Sequence, residues 1–220
     1  LSASLAGAIP PILQRIRDVF DLDCEPAQVQ RVVRGPSGGS GPMRLIGAFD
    51  GFELAVRGIV GQQITVKAAR TLVGRLVERY GEPIDGAAPA GLERIFPSPA
   101  RIAALEPASI AELGIVGRRA AAIRALAQAI VEGRLALEPR APVEATVAAL
   151  QSIPGIGDWT AQYIAMRALC WPDAFPAGDL AVLKALDART PAQARERARA
   201  WQPWRAYAVM ELWASTGATT

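Results

Sequence analysis

The apolar residues of this chain recur mostly at the three- and four-residue spacing of amphipathic helices. The strongest pattern extends from Phe49 to Tyr80, and Gly61, Gln62 and Gln63 interrupt it, which predicts two helices joined by a bend or a short loop. As a local pattern, the two glutamines are typical of a polar helix start that faces water. No segment alternates apolar and polar residues over the length of a strand, so the predicted fold is nearly all α-helical. Further helices are predicted at residues 8–20, 158–169, 180–186, 191–200 and 203–214. A short helix is predicted to begin at Pro26, and a separate long helix to end at about Glu132.

A helix, a glycine turn and a second helix occur twice, once around Gly114 and Gly117 and again at residues 145–169. In the first copy, Arg118 and Arg119 begin the helix that follows the turn. We interpret these two arginines as part of a solvated helix face, and a contact with a phosphate is the alternative.

Composition narrows the possible chemistry. The 220 residues suffice for one domain or two closely packed lobes, and neither a bilayer-spanning apolar run nor a signal-peptide pattern is present. Lys67 and Lys184 are the only lysines among 24 basic residues; this arginine excess suits phosphate contacts, but a GC-rich genome produces it equally well. The absence of histidine excludes Ser–His and Cys–His nucleophilic schemes and imidazole-ligated metals. Cys24 and Cys170 are far apart and indicate neither a disulfide framework nor a metal site.

The segment 153–157, Ile-Pro-Gly-Ile-Gly, lies between two helical patterns. Gly155 and Gly157 permit unusual backbone angles and leave no side chain between the backbone and a ligand. The helix that begins at Asp158 adds unsatisfied N–H groups, which favour anions. Taken alone, such a turn is also compatible with a tight connection that binds no ligand.

Aromatic side chains follow the turn. Trp159 and Tyr163 are four residues apart and therefore lie on the same side of one helix. Packing in the core is the simpler explanation of such a pair, and lining a pocket is the alternative. Trp201 and Trp204, at a break between two helices, add aromatic surface, and one of them could complete a pocket.

Asp179 differs from most aspartates of the chain because apolar or small residues flank it on both sides. As the residue before the helix 180–186, it is well placed to be an N-cap. The same rigidly held carboxylate could act at the edge of a cleft, and the two roles are compatible.

The motifs LQSIPGIGDWTAQYIAMRAL, PDAFPAGDLAVLK and WQPWRAYAVMELW occur in this order, and the chain resembles the 3-methyladenine DNA glycosylase II family of the helix-hairpin-helix glycosylase superfamily. The likeness extends back through AFDGFELAVRGIVGQQITVKAARTLVGRLVERYG, so that it covers about Phe49 to Trp213 and, more faintly, Ala8 to Arg34. It implies an all-α fold with two helical lobes flanking a cleft and a helix-hairpin-helix motif at 150–169. Lobe one would comprise about 1–48 and 172–220, and lobe two about 49–171.

The resemblance also implies roles for individual residues. Asp179 matches the catalytic aspartate of the family, and Gly155 and Gly157 match the hairpin that grips DNA phosphate. The base pocket would be lined by Trp159, Tyr163 and Trp201, and the loop that probes the minor groove and fills the gap left by the extruded base would contain Gln62 and Gln63. The backbone carbonyls of Gln151, Ile153 and Ile156 would hold a monovalent cation, sodium or potassium, and no other cofactor is implied.

Three features depart from the best-known bacterial pattern. Gln63 occupies a position where a leucine wedge can be found, and Gly178 replaces an acidic residue that can precede the catalytic aspartate. The small β-rich N-terminal domain of some members is not found in these residues.

The resemblance implies a monofunctional base-excision repair enzyme that binds double-stranded DNA as a monomer in the bacterial cytoplasm, at the nucleoid. It would flip out an alkylated purine such as 3-methyladenine and hydrolyse its N-glycosidic bond. The hairpin lacks the lysine that lyases place there, so no strand cleavage is expected. The alternatives are a non-catalytic module that binds damaged DNA and a glycosylase for uracil or mismatched bases.

Overall fold

The computed structural model of the chain describes residues 7–33, 44–84 and 88–215. Twelve α-helices lie in these ranges, and the all-α prediction is confirmed. Their bounds are α1 Ile9–Val19, α2 Pro26–Val32, α3 Gly51–Val60, α4 Val66–Tyr80, α5 Pro99–Ala103, α6 Pro107–Ala111, α7 Gly117–Val131, α8 Val143–Gln151, α9 Asp158–Ala168, α10 Leu180–Ala185, α11 Pro191–Arg197 and α12 Arg205–Ser215.

Two short strands, β1 Glu82–Pro83 and β2 Arg94–Ile95, pair antiparallel, with Glu82 opposite Ile95. The predicted helix at 191–200 ends as α11 at Arg197 and is followed by a separate 3-10 turn at Arg199–Trp201. These are small additions to the helical pattern.

The helix starts follow local side-chain chemistry. The hydroxyl of Thr65 accepts a hydrogen bond from the Ala68 N–H at 3.2 Å and caps α4, and five residues separate the end of α3 from the start of α4. The interruption predicted at Gly61–Gln63 is therefore a true break between two helices. Proline at the first positions fixes the entry of α1, α2, α5, α6 and α11.

The chain divides into two compact units. Unit 1 comprises residues 1–51, 138–143 and 162–220, and unit 2 comprises residues 52–137 and 144–161. The boundary near the hairpin falls within α9. Residues 49–51, 138–143 and 162–171, which the sequence assigned to the second predicted lobe, lie in unit 1. Parts of the first predicted lobe, at 1–6, 34–43 and 216–220, lie outside the described residues.

In unit 1, α10 packs against α11 and α12, and the core includes Val182, Ala194, Val209 and Leu212. In unit 2, α7 packs against both α5 and α6, and its buried stripe contains Ile123 and Leu126. Within the described ranges, no helix combines the length and hydropathy that a bilayer span requires.

Candidate active site and nucleic-acid interface

The hairpin connects α8 to α9 and belongs to unit 2. Ile153 and Ile156 are 6% and 4% exposed, and their buried side chains anchor the turn in the protein interior. Gly155 has φ +97°, a backbone conformation that side chains disfavour, and a Cβ at this position would lie 3.2 Å from the Cβ of Ala122. A Cβ on Gly157 would meet nothing within 4 Å. Gly155 is therefore required by the fold, whereas Gly157 leaves one side of the turn open to a ligand.

The hairpin carbonyls are the predicted cation ligands. The Ile153 carbonyl accepts a hydrogen bond from the Ile156 N–H at 3.0 Å, and a carbonyl oxygen has a second lone pair for a cation. The Gln151 side chain donates to Asp158 Oδ1 at 3.1 Å, which closes the hairpin across its base. Backbone oxygens suit hard cations, so the donor chemistry fits a sodium or potassium ion.

The loop between α3 and α4 contains Gln62 and Gln63. Gln62 is half-buried, and its Nε2 donates to the Gly155 carbonyl and to Thr160 Oγ1, both at 3.0 Å. The interpretation of Gln62 as a water-facing helix start is thus wrong, because its amide is committed to the hairpin. Gln63 is exposed with φ 56°, and its Oε1 accepts a hydrogen bond from Arg118 at 3.3 Å.

The two arginines at the start of α7 have different environments. Arg118 is exposed, as predicted for a solvated helix face. Arg119 is only 6% exposed, and its Nη2 donates to the backbone carbonyl of Gln62, so the interpretation as a solvated side chain is wrong for this residue. Periodicity did not indicate this burial because it depends on a loop more than fifty residues upstream.

The predicted ring pair lies on α9, with Trp159 in its first turn and Tyr163 one turn later. Both side chains are half-buried, and Tyr163 packs against the core of unit 1. One turn further, the buried Arg167 donates to the Ile46 carbonyl at 2.6 Å. Burial lowers the pKa of this guanidinium, and its interaction with the Tyr163 hydroxyl opposes the shift. The Tyr163 side chain therefore interacts with the buried guanidinium of Arg167 on the same helix.

Asp179 lies in unit 1 and is the N-cap of α10, as its position predicted. Its Oδ1 accepts a hydrogen bond from the Val182 N–H at 3.0 Å and another from the indole Nε1 of Trp213 at 3.1 Å. The next residue, Leu180, is 82% exposed, so the capped carboxylate lies at the surface end of the helix. Two donors fix the orientation of this carboxylate.

Trp213 is a residue that sequence reasoning did not single out. It lies on α12 and is 3% exposed, and its N–H is directed at the predicted catalytic carboxylate. Trp201, which was predicted to line the pocket, ends the 3-10 turn and packs half-buried against the core of unit 1. A buried tryptophan usually needs a partner for its N–H, and this requirement was the available signal for Trp213.

The structure thus groups the predicted residues within each unit. In unit 2, Gln62 and the hairpin are joined directly by hydrogen bonds, and Gln63 is linked to Arg118 at the start of α7. In unit 1, Asp179 is joined to Trp213. The first group presents the open side of the turn at Gly157 and the exposed side chain of Gln63, and the second presents an oriented acid.

The chain is similar to known DNA repair proteins. The family model of the HhH-GPD superfamily base excision DNA repair proteins matches residues 56–204. DNA-3-methyladenine glycosylase 2 of Escherichia coli K12 is 38% identical over 219 residues, which cover 99% of this chain and 76% of that protein.

Two solved structures share the fold. One, described as MBOgg1 in complex with a low-affinity DNA ligand, has a TM-score of 0.78 at 20% identity and covers 99% of this chain and 78% of its own. The other, the 3-methyladenine DNA glycosylase of Schizosaccharomyces pombe in complex with abasic DNA, has a TM-score of 0.61 at 23% identity and covers 86% and 90%. The resemblance stated from the sequence motifs is confirmed. The chain therefore belongs to the HhH-GPD superfamily of base excision DNA repair proteins.

Proposed function

We propose that this protein is a monofunctional DNA glycosylase that hydrolyses the N-glycosidic bond of alkylated purines such as 3-methyladenine in double-stranded DNA. The observation that carries the proposal is the carboxylate of Asp179, held by Trp213 and by the start of α10 in a chain of this family. The relative that is 38% identical is named for the same activity.

Binding begins at the hairpin. The turn at Gly155 and Gly157 and the first N–H groups of α9 contact a DNA phosphate. A monovalent cation, if bound, would be held by the hairpin carbonyls and would supply positive charge next to that phosphate. Extruding the base from the duplex costs a few kcal/mol, and the cost is lowest for damaged pairs. Gln63 fills the space that the base leaves, because it is exposed and projects from a loop tied to the hairpin.

The flipped base is held by aromatic faces. An alkylated purine is electron-poor or cationic, and stacking on Trp159 and Tyr163 contributes about 1–2 kcal/mol through cation–π attraction. A pocket of this kind has few polar groups that read the base edge, so we expect it to accept several alkylpurines. Trp201 stays a prediction for the same wall, and Trp213 donates a hydrogen bond to Asp179.

Asp179 acts on the sugar. As the bond between C1′ and the base nitrogen breaks, positive charge develops on the sugar, and the carboxylate stabilises it. A water molecule then adds to C1′, and its proton passes to the carboxylate or to solvent. The base leaves as a neutral molecule, since its alkylation had already supplied the positive charge.

We expect no strand cleavage. A lyase step needs an amine that forms a Schiff base with C1′. The two lysines, Lys67 on α4 and Lys184 on α10, are exposed and lie outside the hairpin. We further expect the protein to act as a monomer.

The proposal is tested by measuring base release from duplexes that each contain one lesion, with 3-methyladenine, 7-methylguanine, uracil and a mismatch in the panel. Wild type should release the alkylpurines, and Asp179→Asn should lose at least about a hundredfold in rate, as expected when electrostatic stabilisation of the transition state is removed. Binding without release by wild type would favour the non-catalytic alternative. Strand breaks that form without alkali would refute the monofunctional reaction.

A further inference from the structure

Three segments of unit 2 meet at the turn of the hairpin: the loop 61–63, the first turns of α7 at 117–122, and the hairpin turn 153–157. We call them the hairpin junction. A Cβ on Gly155 would lie 3.2 Å from the Ala122 Cβ and 3.6 Å from the Arg118 carbonyl oxygen. The hairpin turn is therefore pressed against α7, with no space for a side chain between them.

Gln62 connects the loop to the hairpin. Its Nε2 donates to the Gly155 carbonyl at the tip of the turn and to Oγ1 of Thr160 in the first turn of α9, each at 3.0 Å. Thr160 is 3% exposed, so this second bond is shielded from water. A primary amide has two N–H donors, and both are directed at the hairpin.

The backbone of Gln62 is held as well. Arg119, which is 6% exposed, donates to the Gln62 carbonyl, and its Nε has no hydrogen-bond partner among the described residues. The adjacent Gln63 has φ 56°, and residues in this conformation persist only where their surroundings hold them. The junction thus fixes the residue before Gln63 at its side chain and at its carbonyl.

We propose that Gln62 is a positioning residue that sets the place of Gln63 relative to the hairpin, and that Arg119 holds its backbone in register. The inference rests on the proposed function, in which the hairpin grips phosphate and Gln63 enters the stack. Because both contacts are made to the same DNA, a fixed separation lets binding at the hairpin drive extrusion of the base. A loop that could shift would bind the DNA and leave the base stacked.

The test compares variants that remove the hydrogen bonds between the Gln62 side chain and the hairpin with variants that keep them. Gln62→Met removes both donors with little change in length, and Thr160→Val removes one acceptor with little change in shape. Thr160→Ser retains the hydroxyl. Gln128→Met is the matched control, because Gln128 is an exposed glutamine of the same unit whose amide donates to Glu132 at 2.9 Å.

Each variant is assayed on two duplexes, one with 7-methylguanine paired to cytosine and one with the same lesion opposite an abasic site, where little extrusion energy is needed. Single-turnover release from the paired duplex should fall about tenfold in Gln62→Met, the factor that one or two neutral hydrogen bonds supply. Release from the second duplex should stay within about twofold of wild type, and Thr160→Ser and Gln128→Met should match wild type on both.

If Gln62→Met lowers the release rate equally on the two duplexes, the hydrogen bonds of Gln62 only support the fold. If its rate on the paired duplex is unchanged, these hydrogen bonds do not contribute to extrusion. Either result overturns the inference. Thermal unfolding identifies a variant that fails to fold, and Thr160→Val then takes the place of Gln62→Met.

A second readout does not depend on base release. A 2-aminopurine next to an abasic-site analogue reports unstacking when protein binds. If wild type releases no base, the proposed function fails, but a fluorescence rise with wild type that is lost in Gln62→Met would still support the positioning role. Equal signals, including no rise with either protein, would overturn it.

Discussion

The hydrogen bond from Trp213 to Asp179 leads to a quantitative prediction. Oδ1 of Asp179 accepts from the indole at 3.1 Å and from the Val182 N–H at 3.0 Å. The substitution Trp213→Phe removes the indole N–H and keeps an aromatic ring at a site that is 3% exposed. A hydrogen bond to a charged group contributes about 1.5–3 kcal/mol, and about 1.4 kcal/mol corresponds to a factor of ten in rate.

Since the Val182 bond remains, we expect the lower end of this range and a fall of about tenfold in the single-turnover rate of base release. The affinity for undamaged duplex should change by less than about twofold, because Asp179 and Trp213 lie outside the hairpin. The assay uses excess protein over a duplex with one 7-methylguanine, and fluorescence anisotropy gives the affinity. Trp171→Phe is the matched control, because Trp171 is a half-buried tryptophan of the same unit.

A double-mutant cycle sharpens the test. If Trp213 acts by orienting the carboxylate, Trp213→Phe should cost little additional rate in an Asp179→Asn background. The reasoning is refuted if folded Trp213→Phe releases base within about twofold of wild type. It is also refuted if Trp171→Phe lowers the rate of base release as much as Trp213→Phe does, because the lower rate would then reflect general packing of unit 1.

Two further predictions concern the hairpin and α12. Gly155→Ala places a Cβ at φ +97° and 3.2 Å from the Ala122 Cβ, so urea unfolding should show a loss of about 1–3 kcal/mol, whereas Gly157→Ala should leave stability unchanged and weaken binding to duplex DNA. The carboxyl of Glu211 has its pKa raised by burial, and its Oε2 has no partner among the described residues. Because this pKa is raised, the folded state favours the protonated Glu211 carboxyl, and the stability that protonation provides is lost as pH rises through that pKa. Glu211→Gln should therefore raise the free energy of unfolding at pH 7 but not at pH 4.

Much of the fold could be predicted because it follows from local spacing. The break at Gly61–Gln63 and the N-cap at Asp179 are properties of short segments, and both are found where the pattern placed them. The hairpin turn is equally local, since one positive-φ glycine and two buried isoleucines define it. Such features depend on backbone angles and helix starts, which neighbouring residues determine.

The partners of the site residues could not be predicted in the same way. Trp213 reaches Asp179 across 34 positions, and Gln62 reaches Gly155 across 93. No periodicity links such pairs, because their proximity comes from the packing of whole helices. The role of Trp201 in the base pocket stays a prediction, whereas the hydrogen bond from the Trp213 indole to Asp179 becomes visible only in the folded chain.

Gln62 departs from the water-facing position that its local pattern predicts, whereas Gln63 is exposed. Polar residues beside a glycine between two apolar helices are typical of a helix start that faces water. Water then satisfies their side chains, so this local pattern indicates no hydrogen-bond partner within the protein. A half-buried side-chain amide, however, needs acceptors for its N–H groups. A backbone carbonyl in a turn can serve as an acceptor because it makes no hydrogen bond within a helix. The hairpin supplies such a carbonyl at Gly155, where the left-handed backbone turns the chain between two helices. Gly155, which forms the turn of the hairpin, therefore also provides the acceptor that holds the loop carrying Gln63. A substitution of Gly155 or of Gln62 is expected to affect both proposed contacts with DNA.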